Sequence, residues 1–335
     1  MTTTDRPLLA RRRLTLTALA GFAGLTSLAL PLTAQAAYPE KAIEWVVPYP
    51  AGGGSDLVAR ALAEPMAKAL GQPIVILNKP GAATNIGADY AAKARPDGYT
   101  LLTADTATLA ANPHLYAKLS YDAARDLAPV GLMVRFPLVL VVSAGVPVKN
   151  LAELRSWAQA RPDAVAYATP GAGSPHHLAT ELFRERSGLK LSHIPYRGAA
   201  PALQDLAGGQ VPMAFVDTAA GYPHILSGKL RALGVATPQR ITTFPDVPTL
   251  AEQGLKGFEA YAWQGLVVPA GTPADVVARL NLALVGALDT TAVKARFQAL
   301  GLQITPSTPA QMASYAQAER DKWGPVIRAT GIKLD

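Results

Sequence analysis

Cysteine is absent from the 335 residues of this sequence. The absence excludes cysteine nucleophiles, thiolate metal sites and disulfide bonds from any account of the function. It is compatible with an oxidising compartment but does not demonstrate one. The chemistry of the protein must therefore come from backbone groups, hydroxyls, carboxylates, histidines and basic side chains.

Charge is sparse and evenly spread. Only 16% of the residues are charged, and the net charge of +7 is not gathered into a lysine and arginine cluster beyond the first 36 residues. We therefore expect no nucleic-acid partner. A mild positive balance helps to attract small anions over distance, although the effect is small at physiological salt.

Long apolar runs are missing except near the N-terminus. Residues 11–13 are arginines, residues 14–32 are mostly apolar, and Ala34-Gln35-Ala36 has the small-x-small pattern of a cleavage site. This pattern predicts an export signal over residues 1–36, cleaved after Ala36, and thus an exported protein. An uncleaved membrane anchor is the alternative, which the glycines and proline of the apolar stretch disfavour. The export route, general secretory or twin-arginine, stays open.

Half of the residues are hydrophobic, which is enough to build a sizeable core. The 28 glycines and 28 prolines are spread between periodic segments, so we identify no low-complexity tract and no short repeat. Beyond the export signal no run of about 18 apolar residues occurs, and we expect a soluble mature protein. The length suggests two domains.

One stretch carries the strongest local pattern in the chain. Residues 43–47 form a strand-length apolar run, two prolines end it, three glycines follow at 52–54, and helical periodicity begins at Leu57. A strand, a glycine turn and a helix start direct unpaired backbone N–H groups to one point, where the helix dipole adds positive potential. Such a point binds anions, and we expect it to hold one carboxylate of a small acid. The alternative is that the glycines only make a tight turn.

Motifs for nucleotides, metals and nucleophilic catalysis are not matched. No lysine follows the three glycines, which excludes a P-loop, and Leu57 occupies the position of the third glycine of a dinucleotide fingerprint. His176 and His177 are adjacent, so on a helix they point about 100° apart and do not readily share a metal. Ser174 lacks the flanking glycines of a nucleophile elbow. We therefore predict no cofactor, no metal and no catalytic residue.

Strand-like and helical segments alternate along the chain. This order predicts an α/β fold with a parallel sheet covered by helices on both faces. In such sheets ligands bind beyond the carboxyl ends of the strands, which places residues 49–55 and a predicted polar loop at 104–106 beside a ligand. We also predict a helix break at 112–114, a strand over 136–142 and a final helix over 309–322.

The strand–turn–helix pattern occurs a second time further along the chain. A strand is predicted over 165–168, a glycine-rich loop follows, and Ser174 with Pro175 is typical of a helix N-cap and first helical position. We expect two anion-binding turns, one on each of two lobes, that face each other across a cleft.

An ordered set of short motifs resembles a known family. The matching segments are 38–41 (YPEK), 47–53 (VPYPAGG), 79–81 (KPG), 85–88 (NIGA), 96–102 (PDGYTLL), 193–196 (HIPY), 208–211 (GGQV) and 244–249 (FPDVPT). Together they resemble the periplasmic solute-binding components of tripartite tricarboxylate transporters, also called the Bug family, over nearly all of residues 38–335.

The resemblance implies a two-lobed, type II periplasmic-binding-protein fold with a hinge and an interlobe ligand cleft. Lobe one would comprise residues 38–137 and 262–335, and lobe two residues 138–261. The protein would capture a small organic carboxylate without chemistry, as a monomer, and deliver it to membrane transporter subunits. A receptor that reports to a sensor kinase is an alternative. A periplasmic hydrolase is a second one, disfavoured because no spacing supplies a nucleophile–base pair.

The resemblance also implies that residues 51–53 bind a carboxylate through backbone groups and ordered waters, opposite polar groups of lobe two. The full set of predicted ligand contacts is Tyr49, Ala51, Gly52, Gly53, Ser55, Asp56, Thr103, Asp105, Thr106, Thr169, Gly173, Ser174, His177 and Asp217. Two residues depart from the family pattern: Pro212 replaces a usual acidic residue, and Asp105 replaces a neutral polar one. Asp105 or Asp217 would repel a further carboxylate or attract a cationic group.

Overall fold

The structure is a computed structural model that describes residues 38–334, so the predicted export signal lies outside the described residues. Strands and helices alternate through most of this range. The strands are β1 (Ile43–Val47), β2 (Ile74–Asn78), β3 (Thr100–Asp105), β4 (Leu127–Ser143), β5 (Val165–Thr169), β6 (Leu191–Pro195), β7 (Met213–Asp217), β8 (Leu230–Val235), β9 (Tyr261–Pro269) and β10 (Gln303–Ile304). The helices are α1 (Gly54–Leu70), α2 (Asn85–Ala92), α3 (Asn112–Leu115), α4 (Leu151–Gln159), α5 (Pro175–Ser187), α6 (Ala199–Ala207), α7 (Thr218–Leu226), α8 (Ala274–Asp289), α9 (Thr291–Ala299) and α10 (Pro309–Thr330).

Within residues 38–334 the strands form one sheet in the order β2-β1-β3-β9-β4-β7-β5-β6, with β8 and β10 also paired to β4. The predicted parallel pairing is found for β1 with β2 and β3, and for β5 with β6 and β7. The long strands β4 and β9 instead run antiparallel to each other and to their neighbours.

Strand β4 divides the sheet into two parts. Its residues 127–137 pair with β9, whereas residues 138–142 pair with β7. We call the β2-β1-β3-β9 side with β10 the first part, and the β7-β8-β5-β6 side the second part. The largest buried cluster is continuous across both parts, because Val46 and Trp263 belong to the same cluster as Phe183, Phe215 and Phe258, which stack edge and face. A further cluster around the fully buried Trp45, Leu62 and Met66 lies in the first part.

Three local predictions in the first half of the chain differ from the structure. The strand predicted over 136–142 is the second half of β4, whose first half contains glycine and proline and was not recognised. The polar loop predicted at 104–106 is wrong, because β3 continues through Asp105. The break predicted at 112–114 is also wrong, because a π-helical turn at Ala107–Ala111 leads directly into α3. Pro113 has no N–H to donate to this preceding turn, and the Leu109 carbonyl instead accepts from Arg320 Nη1 at 3.0 Å.

The last helix extends beyond the predicted end at residue 322. Helix α10 continues to Thr330 with Pro325 inside it, and its later turns bury Trp323 and Ile327 against the core. Burial of these apolar side chains outweighs the local helix-breaking tendency of the proline. Over residues 38–334 no single helix meets the length and hydropathy of a membrane span; only α8 and α9 taken together, bent by 66°, do so by length and composition.

Candidate functional site

A cavity of about 1140 Å³ opens between the two parts of the sheet. We call it the cleft. On the first part its wall comprises residues 49–55 after β1 and residues 262–264 of β9. On the second part it comprises residues 174–176, residues 197–201 and Asp217. Both walls therefore consist of segments at strand ends and helix starts, as the sequence predicts for a parallel sheet.

The turn between β1 and α1 presents backbone N–H groups to the cleft. Gly52 adopts a left-handed φ of 81°, and Gly53 is the extended N-cap of α1, whose first turn has no capping side chain. Glycine is favoured at position 52 because residues with a Cβ rarely adopt this conformation. The N–H groups of Gly54 and Ser55 precede the first helical hydrogen bond, donated by Leu57 to Gly53, and have no helical acceptor.

The side chain of Asp56, in the first turn of α1, stabilises the turn between β1 and α1 by hydrogen bonds. Its carboxylate accepts hydrogen bonds from the Gly52 backbone N–H at 2.9 Å, Arg60 Nε at 2.8 Å and Asn78 Nδ2 at 3.0 Å. Burial alone would raise the pKa of Asp56, but these hydrogen bonds and the Arg60 charge lower it below its ordinary value. The predicted ligand contact of Asp56 is therefore not supported, and the Gly52 N–H is already occupied.

Asp105 lies at the end of β3 in the cleft wall, as predicted, but its oxygens are engaged. The Tyr49 hydroxyl donates to Oδ2, and the backbone N–H and hydroxyl of Thr108 donate to Oδ1 at 2.9 and 3.0 Å. Burial raises the pKa of Asp105 in spite of these hydrogen bonds, and burial beside Asp105 raises that of Tyr49.

Gln264 on β9 is a cleft residue that the sequence prediction missed. Its side chain is 5% exposed, and its Nε2 donates to Ser55 Oγ at 2.5 Å. Its Oε1 has no hydrogen-bond partner among the described residues. The missed indication was a buried polar residue in the otherwise apolar strand segment from Trp263 to Pro269.

The second wall contains three helix starts, of which two are closed by their own side chains. The Ser174 hydroxyl accepts from the His177 N–H at 3.2 Å at the start of α5, and Asp217 Oδ1 accepts from the Ala220 N–H at 2.8 Å at the start of α7. Of the three, α6 alone begins without a capping side chain, at Gly198. The second open helix start is therefore that of α6 and not that of α5, which corrects the sequence prediction.

Basic groups lie near these helix starts. His176 Nε2 lies 3.3 Å from Asp217 Oδ2, and both residues line the cleft. Burial alone would raise the pKa of Asp217, but the hydrogen bond and charge of His176 lower it, so the carboxylate stays ionised. Arg197, next to α6, and Lys229 are exposed in the same wall. The sequence prediction did not include His176, Arg197 or Lys229.

Two predicted contacts are buried inside the first part of the fold. Thr103 accepts a hydrogen bond from Trp45 Nε1 at 2.9 Å, and Thr106 accepts one from the Trp263 backbone N–H at 3.3 Å. Both threonines are 0% exposed and neither lines the cleft. Their hydroxyls therefore connect the end of β3 to the neighbouring strands β1 and β9.

Three further predicted contacts lie beneath the second wall. Thr169 Oγ1 lies 2.6 Å from His193 Nε2, and the Gly173 N–H donates to His177 Nδ1 at 3.0 Å. The His177 ring stacks on His193 at 3.8 Å. Burial, the neighbouring His193 and Arg184 lower the pKa of His177 to about 3, and burial lowers the pKa of His193 to about 4. Thr169, Gly173 and His177 thus support the loop before α5 and do not line the cleft.

Eight predicted contacts do meet in the cleft wall: Tyr49, Ala51, Gly52, Gly53, Ser55, Asp105, Ser174 and Asp217. Their contact with a ligand stays a prediction. Within the described range 38–334, no three histidine, aspartate or glutamate side chains come together as a metal site.

The family model described as the tripartite tricarboxylate transporter family receptor matches residues 58–332. The chain belongs to this family. Protein BugT of Bordetella pertussis is 40% identical over 314 residues, which cover 93% of this chain and 96% of BugT. The recognition made from the sequence motifs is thereby confirmed.

Solved structures of the same type share the fold. The periplasmic binding protein BugD matches with a TM-score of 0.79 at 34% identity, covering 88% of this chain and 99% of BugD. Rpa4515 of R. palustris with adipate matches with a TM-score of 0.82 at 34% identity, over 88% and 99% of the two chains. MatC of Rhodopseudomonas palustris with bound malate matches with a TM-score of 0.79 at 36% identity, covering 87% of this chain and 100% of MatC.

These similarities confirm the predicted α/β, two-lobed periplasmic-binding-protein fold. The chain is a solute-binding receptor of the tricarboxylate receptor family, which is a family of periplasmic binding proteins rather than of enzymes. A periplasmic location follows from the family.

Proposed function

We propose that this receptor captures a small organic carboxylate in the cleft and delivers it to the membrane subunits of a tripartite tricarboxylate-type transporter. Residues 38–137 with 262–335 form one lobe in this proposal, and residues 138–261 form the other. The observation that carries it is the open start of α1, whose Gly54 and Ser55 N–H groups lack helical partners at the cleft wall. Solved structures of relatives with adipate and with malate support a carboxylate as ligand.

The start of α1 suits a carboxylate for two physical reasons. Unpaired N–H groups donate to its oxygens, and the helix dipole favours negative charge at this end. Each hydrogen bond to a charged group contributes about 1.5–3 kcal/mol net. Several such hydrogen bonds, less the cost of closing the cleft, would give a binding free energy of about −8 kcal/mol, which corresponds to a roughly micromolar dissociation constant.

The second wall supplies a place for the other end of the ligand. The open start of α6 at Gly198 and the exposed guanidinium of Arg197 lie across the cleft from α1. A ligand with two anionic groups would contact both walls only when the lobes close. Such a ligand shifts the equilibrium toward the closed form, which is the form expected to dock on the transporter.

A thermal-shift screen tests the proposed ligand class. We expect mono-, di- or tricarboxylic acids to raise the melting temperature, because a ligand that binds only the folded state stabilises it. Hits are then titrated by calorimetry. A complete lack of response to carboxylates, with a response to uncharged sugars or to cations, would contradict the proposal.

Gly53→Val tests the site. The backbone of Gly53 is extended at φ −77°, and a Cβ would meet only the Pro50 carbonyl at 3.5 Å, so the change is compatible with folding. Its branched side chain would fill the space over the α1 N–H groups. We expect at least about tenfold weaker binding, a loss of about 1.4 kcal/mol.

The matched control for this variant is Gly145→Val. Gly145 is exposed and lies away from the cleft, and a Cβ added there would have no other atom within 4 Å. We expect it to bind like the wild type. Equal affinity of Gly53→Val and the control, with both folded, would place the ligand elsewhere.

A further inference from the structure

Gln264 leaves a buried acceptor without a donor beside the proposed carboxylate site. Its amide is held against α1 by the 2.5 Å hydrogen bond from Nε2 to Ser55 Oγ, and only 5% of the residue is exposed. Oε1 of the same amide has no partner among the described residues. A buried acceptor without a donor is costly, so such groups are usually satisfied in the functional state.

The Gln264 side-chain amide lies next to the place where carbon 2 of a bound carboxylic acid is expected. Ser55 contributes both the hydroxyl that Gln264 contacts and a backbone N–H at the open start of α1. A carboxylate bound at this N–H would bring its neighbouring carbon, carbon 2, toward the Gln264 amide, because Ser55 contacts both. A substituent on carbon 2 therefore reaches Gln264 more readily than a group further along the ligand.

The surroundings of Gln264 favour a donor on that substituent. Gln264 is the register partner of Asp105 on the adjacent strand β3, and both line the cleft. The Asp105 oxygens accept hydrogen bonds from Tyr49 and Thr108, and no donor of Asp105 reaches Gln264 Oε1. An apolar substituent here would leave Oε1 unpaired.

We propose that Gln264 selects acids that carry a hydroxyl or an ammonium group on carbon 2, next to the carboxylate bound at α1. This inference rests on the proposed function and narrows its substrate class to 2-hydroxy and 2-amino acids. The substituent donates to Oε1, while the Nε2–Ser55 hydrogen bond keeps the amide in place.

Calorimetry with matched acids tests the selection on the wild-type protein. The probes are succinate, malate and aspartate, and glutarate, 2-hydroxyglutarate and 2-oxoglutarate. We expect the 2-hydroxy acid to bind about threefold to tenfold more tightly than the unsubstituted acid of the same length, the range of one neutral hydrogen bond. The 2-amino acid, whose ammonium group is charged, should gain at least as much. Stronger binding of the 2-oxo acid would overturn the inference, because it requires the amide to present its NH₂ to the ligand.

Two variants test whether Gln264 is responsible for the preference for a hydroxyl or ammonium group on carbon 2. Gln264→Met keeps the length of the side chain and removes the acceptor, so the ratio of hydroxy-acid to unsubstituted-acid affinity should fall to about one. Gln264→Glu keeps an acceptor; its charge weakens binding of every acid, but the ratio should persist. Gln298→Met on exposed α9 is the matched control and should retain the wild-type ratio.

The melting temperature of each unliganded variant reports whether it is folded, and the ratio is read only from folded protein. If the wild type binds no carboxylate, the proposed function fails. If it binds substituted and unsubstituted acids equally, or Gln264→Met keeps the ratio, the proposed function stands and the role of Gln264 is refuted.

Discussion

Asp56 shows how the role of a residue depends on partners that its motif does not reveal. It follows three glycines at a helix start, which made it a candidate ligand contact. The structure instead turns its carboxylate to the Gly52 N–H, Arg60 and Asn78. Asn78 lies on β2, so the contact depends on the folded sheet and could not be predicted from local sequence.

We predict that Asp56→Ala lowers the free energy of unfolding by about 1.5–3 kcal/mol, because the exposed Gly52 N–H and the half-buried Asn78 amide lose their charged acceptor. Urea unfolding followed by circular dichroism measures the change. Asp289→Ala, which breaks the exposed Lys294–Asp289 ion pair, is the control and should change stability little. Similar stability of the two variants would show that Asp56 does not hold the turn.

At the scale of elements, the sequence predicted where helices start but not which helix starts keep free N–H groups for a ligand. Prolines, glycines and helical periodicity located β1, its turn and α1 correctly. Ser174 was correctly predicted as the N-cap of α5. The consequence was missed: a helix capped by its own side chain has fewer N–H groups left for a ligand. Because Gly198 lacks such a side chain, α6 offers the open start.

The loop before α5 rests on a stack of neutral histidines. His177 accepts the Gly173 N–H, stacks on His193, and lies 4.0 Å from Glu181, which also pairs with Arg184. The pKa values of His177 and His193, about 3 and about 4, lie below the ordinary 6.5. Between the pKa values of the folded protein and the ordinary value of 6.5, the unfolded chain therefore binds more protons than the folded chain.

We predict that the contribution of these two histidines to the free energy of unfolding is constant above pH 6.5. It should fall as the pH decreases from 6.5 toward 4, because the unfolded chain then takes up protons that the folded chain does not. In His177→Gln, whose amide keeps an acceptor for Gly173, the slope of unfolding free energy against pH should decrease by up to about 1.4 kcal/mol per pH unit, the value for one proton. Urea unfolding between about pH 4.5 and about pH 7.5 measures the slope across the window in which the unfolded histidines titrate. An unchanged slope would show that His177 takes up no proton on unfolding.

At the scale of the whole molecule, long-range pairing set the limit of the sequence prediction. Parallel pairs joined by nearby helices were predicted, but β9 enters the first part of the sheet after more than a hundred residues spent in the second. Nothing local to β9 specifies β3 and β4 as its neighbours. The lobe boundary near residue 261, which was expected from the sequence, stays a prediction.

The same topology indicates where the lobes would hinge. The chain passes between the two parts of the sheet within β4, near residues 137 and 138, and again at residues 260 and 261. Ala236 joins these crossings, because its N–H donates to Leu138 and its carbonyl accepts from Ala260. Two adjacent strand crossings allow rotation of the lobes about them while the sheet parts stay intact.

We predict that a bound carboxylate brings the lobes together. Because the chain has no cysteine, Glu64→Cys on α1 and Glu185→Cys on α5 provide two unique, exposed labelling sites, one on each proposed lobe. Energy transfer between dyes at these sites should change in a saturable way with ligand, with the midpoint that calorimetry gives. The same labels on Gly53→Val should need at least about tenfold more ligand. Binding detected by calorimetry without any change in energy transfer would mean that the cleft captures its ligand without closing.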